Sequence, residues 1–417
     1  RTRCFMARRR AVVFSVAALA VLFGGPAALL AFRNAQLARE YEDQLRLART
    51  EGLATTGEEF AKLIPTAEPA ENAAPNYAKL RGVIRSLPDV RSLDLRLTYQ
   101  PSELTLEEAT QLLATRQPVL DLGEQAVKLP KCWFNRDWSL AAAERTPEFA
   151  DMKSLARLFA LRGSVAAYRG DAMAALKNIE HLRAVGSHAR MEGTAIARLV
   201  GESIDQIAMQ SLASWAHMHR DQPAYREALA RVIENLPRPD LKMETRGNLF
   251  EALSIIELCS TPEGLTALGL KKADLPGIER YASLLVNKGE ARIRIVKAFR
   301  DQRAAIDLPP GQRAAKLQAA SSELRAAMMA FPTANMVFFR LTDDSQIGYL
   351  DRREPMWEAN LQRWRGLIRA LEGPQPPAKI KVDDLLSPFD GKPLQYRFDG
   401  KQMKLTVSGD DRALLIP

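Results

Sequence analysis

The stretch AVVFSVAALAVLFGGPAALLAF, residues 11–32, is the feature from which the rest of the chain is interpreted. It contains no charged residue and no amide, and three arginines at 8–10 come directly before it. A helix of about 20 apolar residues crosses a hydrocarbon core of about 30 Å. The stretch therefore predicts one membrane-spanning helix, and membrane lipid is the expected partner of residues 11–32.

Basic residues flank this stretch asymmetrically. Five arginines precede residue 11, whereas Arg33 and Arg39 follow residue 32 with acidic residues close behind them, between 40 and 43. Because basic segments are retained on the cytoplasmic side, we expect residues 1–10 to form a basic cytoplasmic tail and the chain after residue 32 to lie outside. The predicted localisation is the cytoplasmic (inner) membrane, single-pass, with the C-terminal domain in the periplasm.

A cleavable signal peptide is the alternative interpretation, since it also combines a basic start with an apolar run. The apolar region of a signal peptide is about 7–15 residues long, and residues 11–32 exceed that length. No clear Ala-x-Ala site precedes a polar mature start, so the anchor is the favoured prediction. Met6 before the arginines is typical of a natural start, which would make residues 1–5 an upstream extension.

Composition places the chain among globular proteins that can bury a core. It has 417 residues, of which 47% are hydrophobic and 7% aromatic. The formal net charge is +9, and the five arginines before residue 11 account for more than half of it, which leaves +4 (9 − 5) for the remainder. That remainder is too small to indicate a phosphate-binding surface, so no nucleic-acid partner is expected.

Apolar periodicity after the predicted span is mainly helical. Residues 33–52 continue as a helical stalk, 53–103 hold a helix and an extended linker region, and 104–372 form a helical domain. Pro88–Pro101 alternates enough to be a strand or an extended connection. Further helices are predicted at Tyr77–Ser86, Ala195–Trp215, Leu241–Cys259, Ile278–Ala305, Ala314–Ala330 and Pro355–Leu371. The expected fold is mainly α, an irregular antiparallel helical stack (α-solenoid-like).

One helical pair within this domain has a recognisable pattern. Phe159, Gly163, Gly170 and Ala175 occupy the positions of the large residue, close-contact glycine, turn and small residue of a tetratricopeptide unit. The stretch therefore resembles one such repeat, except that Arg162 stands where the repeat has Leu. No second copy follows at the same period, so a regular array is not expected.

Residues 373–417 change character to a linker followed by a β-hairpin. Two short alternating runs, Leu394–Phe398 and Gln402–Val407, are joined through Asp399 and Gly400. Asp-Gly between alternating runs is a strong hairpin signal. We expect the hairpin to pack on the helical stack, because an isolated two-stranded hairpin is marginally stable in water.

A resemblance enters at this tail, whose order is Pro-Phe-x-Gly-x-Pro-x-x-Tyr and then Ser-Gly-Asp. The matching residues are Pro388, Phe389, Gly391, Pro393, Tyr396, Ser408, Gly409 and Asp410. The tail resembles that of major pseudopilins of type II secretion, and the whole chain resembles uncharacterised bacterial single-pass membrane proteins with a helical exterior domain. The resemblance implies a structural module and, in pseudopilins, a nearby calcium site. Calcium takes about six to eight oxygens, and Asp410 and Asp411 offer few, so no metal site is predicted.

Residues with catalytic chemistry are sparse, and no catalytic, cofactor or metal site is predicted. His217 and His219 lie about 200° apart around one helix, so they cannot bind one metal together. His181, Glu202 and Asp205 oppose the apolar stripes of their helices, which predicts solvated faces for all three. Phosphate loops, dinucleotide fingerprints and His-Glu-x-x-His motifs are absent from the sequence.

Three further features leave alternatives open. Cys132 and Cys259 would form a disulfide in an oxidising compartment if the fold brings them together, and buried thiols otherwise. The aromatic loop at 129–140 could be a ligand platform, although a plug that seals a core is favoured. The basic run at 292–303 could meet anionic lipid or an acidic partner, although a helix surface of snorkelling basic side chains is favoured.

Two functions are compatible with the sequence. The first is a membrane-anchored periplasmic helical scaffold or protein-interaction protein, which requires a protein partner. The second is a cell-envelope hydrolase whose catalytic residues are not local in sequence, since catalytic constellations are assembled in space. The sequence favours the first and leaves enzymatic activity uncertain.

Overall fold

The computed structural model describes residues 25–65, 68–86, 105–138, 146–219, 222–235, 238, 240–259, 262–267, 288–331, 334–335, 350–372, 377–400, 402–410 and 413–416. Helices make up most of these described residues and a small sheet comes last among them, which confirms the predicted mainly-α class. The first helices are α1 (Gly25–Thr50), α2 (Gly57–Leu63), α3 (Ala74–Ser86), α4 (Leu106–Thr115), α5 (Gln117–Val127), α6 (Pro147–Tyr168), α7 (Ala172–Arg190) and α8 (Ala195–Met218). They are followed by α9 (Pro223–Glu234), α10 (Leu241–Thr245), α11 (Asn248–Leu258), α12 (Pro262–Ala267), α13 (Lys288–Ile306), α14 (Pro310–Met328), α15 (Leu350–Ala370), β1 (Gln395–Phe398), β2 (Met403–Thr406) and β3 (Ala413–Ile416).

The predicted membrane span lies largely outside the described residues, which begin at Gly25. Within the described chain, no helix is both long and apolar enough to cross a membrane. The extended segment predicted at Pro88–Pro101 also lies outside the described residues. The helix before it, α3, ends at Ser86.

Helix ends follow the capping signals of the sequence. Thr105 and Glu108 form a reciprocal capping box at the start of α4, so two backbone N–H groups that the helix leaves unpaired are satisfied. Pro118 lies in the first turn of α5, and α4 has already ended at Thr115.

A single predicted helix over Leu241–Cys259 is wrong, because the chain breaks between α10 and α11. Gly247 causes the break: its N–H donates to the carbonyl of Gly193 at 3.1 Å, in place of a helical bond.

The largest core is built around the sequential helices α6, α7 and α8. Gly170, with φ +80°, makes the tight turn between α6 and α7, as the tetratricopeptide-like pattern predicts. Gly163 makes the close contact, but its partner is the Trp215 indole on α8: a Cβ at residue 163 would lie 2.1 Å from that ring. The indole Nε1 of Trp215 donates to Ser164 Oγ at 3.1 Å, so α6 and α8 are held together at this level.

A second core joins α1 to α11, α13 and α14. Leu45 and Ala48 of the predicted stalk are buried in it, so the C-terminal half of α1 packs along α13. Arg300 donates to both carboxylate oxygens of Glu51, and Lys297 donates to Glu40 at 2.7 Å. Much of the basic run at 292–303 is therefore paired with acidic residues of this chain, while its side chains stay partly exposed.

The tail forms a three-stranded antiparallel sheet in the order β1-β2-β3. The predicted hairpin is confirmed, with Phe398 opposite Met403 and Gly400 at φ +90° in the connection. The third strand β3 was missed in the sequence-based prediction, because four residues are too few for an alternation signal. Leu394, Met403 and Leu405 are buried, and the sheet packs on α15 as predicted.

The residues of the pseudopilin-like pattern shape the loops of this sheet. Gly391 and Gly409 have φ +71° and +82°, a conformation that favours glycine. Ser408 Oγ donates to Asp390 at 2.6 Å, and a Cβ at residue 409 would meet Phe389 at 2.7 Å. Tyr396 donates its phenolic proton to the carbonyl of Pro377 at 2.7 Å. These contacts are structural ones within the tail.

The aromatic loop before α6 seals a junction between the cores. Trp138 is buried, with its ring 4.7 Å from Phe60 and 6.4 Å from Phe250 in edge-to-face contacts. The Arg246 guanidinium lies over the Trp133 ring, with its central carbon 5.0 Å from the centroid of that ring. The favoured prediction of a plug agrees with this packing.

Candidate functional site

A cleft of about 530 Å³ lies between α7 and α8 on one side and α9, α15 and β3 on the other. Its walls come from segments far apart in sequence, so only the folded chain assembles it. The residues that line it are Ile179, Arg183, Ser187, Arg190, Glu202, Asp205, Gln206, Ala208, Met209, Gln210, Leu212, Val232, Ile233, Arg238, Asp240, Met243, Met356, Trp357, Asn360, Arg363, Trp364, Ala413 and Leu414. We call this feature the α7–α15 cleft.

The apolar part of the α7–α15 cleft is rich in methionine and tryptophan. Met209, Met243 and Met356 are half-buried, as is Trp357, whereas Trp364 is buried in the large core. Unbranched methionine side chains adapt to irregular surfaces, and tryptophan supplies large contact area at low conformational cost. This lining is typical of a surface that accepts apolar side chains of a ligand.

Two cations of the cleft are held by carboxylates of this chain. Arg190 Nη1 donates to Asp205 Oδ2 at 2.5 Å, which links the end of α7 to the middle of α8. Arg363 Nη2 donates to Asp410 Oδ2 at 2.8 Å, and both side chains are nearly inaccessible to solvent. The second pair fixes the turn after β2 against α15, so the tail is joined to one wall of the cleft.

The other two arginines are engaged differently. Arg183 donates to the carbonyls of Val232 and Asn235 at 3.1 and 2.8 Å, at the C-terminal end of α9, where a cation complements the helix dipole. Burial lowers the pKa of Arg183, and the nearby Asp205 carboxylate opposes that shift. Arg238 is exposed and its guanidinium lies 5.5 Å from the centroid of the Trp357 ring.

Glu202 and Asp205 lie in the α7–α15 cleft, half-buried, so the prediction of a solvated face for them is wrong. The periodicity placed them opposite the stripe of α8 that enters the core, but α7 and α15 cover that opposite face. His181 also departs from its prediction, since it is half-buried and its Nδ1 lies 3.2 Å from Arg162 Nη2. Burial lowers the pKa of His181 to about 4, so its ring is neutral near pH 7.

Two other histidines are structural. His188 is buried, Tyr77 Oη lies 2.8 Å from its Nδ1, and its Nε2 lies 2.9 Å from the Leu129 carbonyl oxygen. Burial lowers the pKa of His188 to about 4, so a neutral ring bridges α3, α7 and the aromatic loop. His219 is buried beside the Tyr225 ring, and the side chain of His217 lies outside the described residues.

A buried ionic group lies where α7, α8 and α11 meet. Arg136 donates to Glu192 at 2.6 Å and to Glu148 at 3.2 Å, and Glu251 accepts the N–H of Ala195 at the start of α8. Burial raises the pKa of Glu192 despite Arg136, and burial raises the pKa of Glu251 to about 7. The sequence gives no local sign of this group, because its members are far apart along the chain.

The two cysteines belong to different hydrophobic clusters. Cys132 is buried in the large core, where burial raises the pKa of its thiol, and Cys259 packs at the edge of the second core. A disulfide between them stays a prediction. The Asp410 carboxylate, at which the pseudopilin resemblance suggested calcium, accepts a hydrogen bond from Arg363, and Asp411 lies outside the described residues. In the described chain, no three His, Cys, Asp or Glu side chains are grouped to hold a metal ion.

The α7–α15 cleft thus combines an adaptable apolar lining with hydrogen-bonding groups at its edges. Ser187, Gln206, Gln210 and Asn360 provide donors and acceptors that suit the main chain of a peptide. Comparison with known protein families, with curated proteins and with solved structures finds no significant match for this chain.

Proposed function

We propose that this protein is a membrane-anchored helical scaffold whose exterior domain binds a segment of a partner protein in the α7–α15 cleft. The observation that carries the proposal is the lining itself, in which three methionines and two tryptophans surround a concave space of about 530 Å³. Ligand sites in proteins are commonly concave, mostly apolar and about 300–1,000 Å³ in volume, with a few placed polar groups.

The charge balance of the cleft favours a peptide over a highly charged ligand. Its lining has four arginines and three carboxylates, and Asp410 just beyond the lining pairs with Arg363. Because Arg190 and Arg363 already have carboxylate partners, little net positive charge remains to attract a polyanion. An apolar side chain of the peptide that packs beside Trp357 would contribute most to the binding free energy. The main chain of the peptide would form hydrogen bonds with the polar groups at the edge of the cleft.

The anchored location rests on the sequence at 11–32 and on the course of α1. This helix starts inside the predicted span and continues to Thr50, packed along α13 over its C-terminal half. A scaffold of this kind would present the α7–α15 cleft at a fixed position outside the membrane.

Peptide selection followed by titration tests the proposal. Full-length protein in detergent is panned against a random 12-residue peptide library displayed on phage, and the selected peptides are titrated calorimetrically. Trp357→Ala removes a central aromatic anchor, and such truncations typically cost about 2 kcal/mol or more, so Kd should rise by about 30-fold. Tyr168→Ala, at an exposed aromatic outside the cleft, is the matched control and should leave Kd unchanged. Selected peptides whose Kd is insensitive to Trp357→Ala would contradict the proposal.

A cell-envelope hydrolase is the second candidate, and one observation favours it. Glu202 and Asp205 place two carboxylates in a cleft that also contains Trp357, and hydrolysis of glycosidic bonds uses a pair of carboxylates. Asp205 is engaged by Arg190, which suits an electrostatic role better than proton transfer. Release of soluble fragments from purified envelope material by the wild type, and its loss in Glu202→Gln, would favour this function over peptide binding.

A further inference from the structure

The exposed apolar side chains of α1 lie at one end of a three-helix group formed by α1, α13 and α14. Leu29, Leu30 and Phe32 are 72%, 61% and 62% exposed. Another large exposed apolar residue, Met329, directly follows α14 and is 62% exposed. Three ion pairs show that these residues share one end of the group.

The register of α1 on α13 comes from its ion pairs. Arg33 lies 3.7 Å from Glu290, and Glu40 accepts from Lys297 at 2.7 Å. From the first pair to the second, the residue number increases on both helices. The helices α1 and α13 therefore run parallel, and their N-terminal ends lie side by side. The exposed residues 29–32 therefore project at, or just beyond, the N-terminal end of α13.

The register of α14 places Met329 at the same end. Arg294, one turn after Glu290, donates to Glu323 at 2.5 Å, and α14 returns antiparallel to α13 through a short connection. Met329 is six residues beyond Glu323 and Leu29 is four residues before Arg33, which correspond to about 9 and 6 Å along the helix axes. Apolar groups of two different helices thus lie at about the same level along α13, at one end of the group.

Basic residues surround that surface. Among the described residues at this end, Arg33, Lys288 and Arg325 are positively charged and exposed, and Glu290 is the acidic member. Apolar side chains rimmed by lysine and arginine are typical of proteins that lie on a bilayer containing anionic lipid. A surface of this kind, continuous with a predicted membrane span, is suited to headgroups and the adjacent acyl region.

We propose that this end of the group, comprising residues 29–33, 288–290 and 325–329, lies directly on the membrane surface, with Met329 inserted among anionic phospholipid headgroups. The exterior domain is then held against the bilayer at two points, the α1 helix and the end of α14. This proposal rests on the anchored location proposed above and adds the orientation of the domain. A domain held at two points presents the α7–α15 cleft at a defined angle to the bilayer.

Photo-crosslinking to lipid tests this orientation. The photoreactive residue p-benzoylphenylalanine is introduced separately at Met329, at Phe32 and at Met173, the last an exposed methionine on α7 that is 57% accessible. Each full-length protein is reconstituted in vesicles of phosphatidylethanolamine and phosphatidylglycerol, irradiated and digested, and lipid adducts are measured by mass spectrometry. Because all three residues are exposed, the substitutions should leave the fold intact, and thermal melting of each protein verifies this.

The expected result is a phospholipid adduct at both Phe32 and Met329, at least tenfold more abundant than at Met173. An adduct at Phe32 without one at Met329 would overturn the orientation while leaving the anchor standing. Adducts at neither position would overturn the anchored location itself. Equal labelling at all three positions would show contact without a preferred face and would also overturn the orientation.

Discussion

Leu405→Ala tests whether the tail sheet is part of the main core. Leu405 lies on β2 with 0% of its surface exposed, and its Cδ2 would lie only 3.2 Å from a Cβ placed on Gly366 of α15. Burial of a leucine side chain contributes about 1.5–3 kcal/mol, and the cavity left by truncation adds to the loss. For a site packed this closely we expect a total loss near the middle of the usual range, about 3 kcal/mol.

Urea denaturation of the full chain in detergent, followed by tryptophan fluorescence, measures this loss. With a urea dependence of about 3 kcal/mol per molar, the unfolding midpoint should fall by about 1 M. Leu386→Ala is the matched control, because Leu386 is in the same tail but 45% exposed, and it should change stability by less than about 0.5 kcal/mol. Equal effects of the two substitutions, or a separate early transition in Leu405→Ala, would show that the sheet is independent of α15.

Four more substitutions have effects whose sign follows from the structure. Asp410→Ala leaves the buried Arg363 without this carboxylate and should cost about 3–5 kcal/mol in urea unfolding, whereas added calcium should not stabilise the wild type. Burial raises the pKa of Glu251 to about 7 from 4.5, so its contribution to stability is complete below pH 4.5 and is lost as the pH rises through 7. Glu251→Gln should therefore gain up to about 3 kcal/mol relative to wild type between pH 4.5 and pH 8, and a pH-independent difference would contradict this linkage. Gly163→Ala should lower the melting temperature, because its Cβ would lie 2.1 Å from an indole ring, whereas Gly82→Ala, with open space around its Cβ in α3, should raise it.

Local signals in the sequence predicted what local contacts determine. The Asp399-Gly400 pair predicted the β1–β2 connection because glycine accepts the positive φ of such a turn. Thr105 with Glu108 predicted the start of α4 because both partners of a capping box lie within one turn. The break at Gly247 escaped prediction, because it depends on the backbone of Gly193, a residue distant in sequence.

The candidate site could not be predicted for the same reason. Periodicity showed that Glu202 and Asp205 oppose the core stripe of α8, but a period identifies a polar face without revealing what covers it. In the folded chain α15 brings Trp357 opposite that face and the tail brings Leu414. The basic run on α13 shows the same limit, since its partners are Glu40 on α1 and Glu51 directly after α1, both more than 240 residues earlier in the chain.

Photo-crosslinking from within the α7–α15 cleft in intact cells tests the scaffold function. p-Benzoylphenylalanine replaces Trp357, which lines the cleft, and in a second protein it replaces Tyr168, an exposed aromatic at the end of α6. If the cleft binds a partner segment, irradiation should crosslink the photoreactive residue at position 357 to one partner protein. Mass spectrometry should locate the crosslink in a short, defined peptide of that partner, and the residue at position 168 should give no such adduct. That same peptide, made synthetically, should bind purified wild-type protein and lose affinity with Trp357→Ala. Identical adducts at both positions, or no protein adduct from the cleft, would contradict a binding role for the α7–α15 cleft.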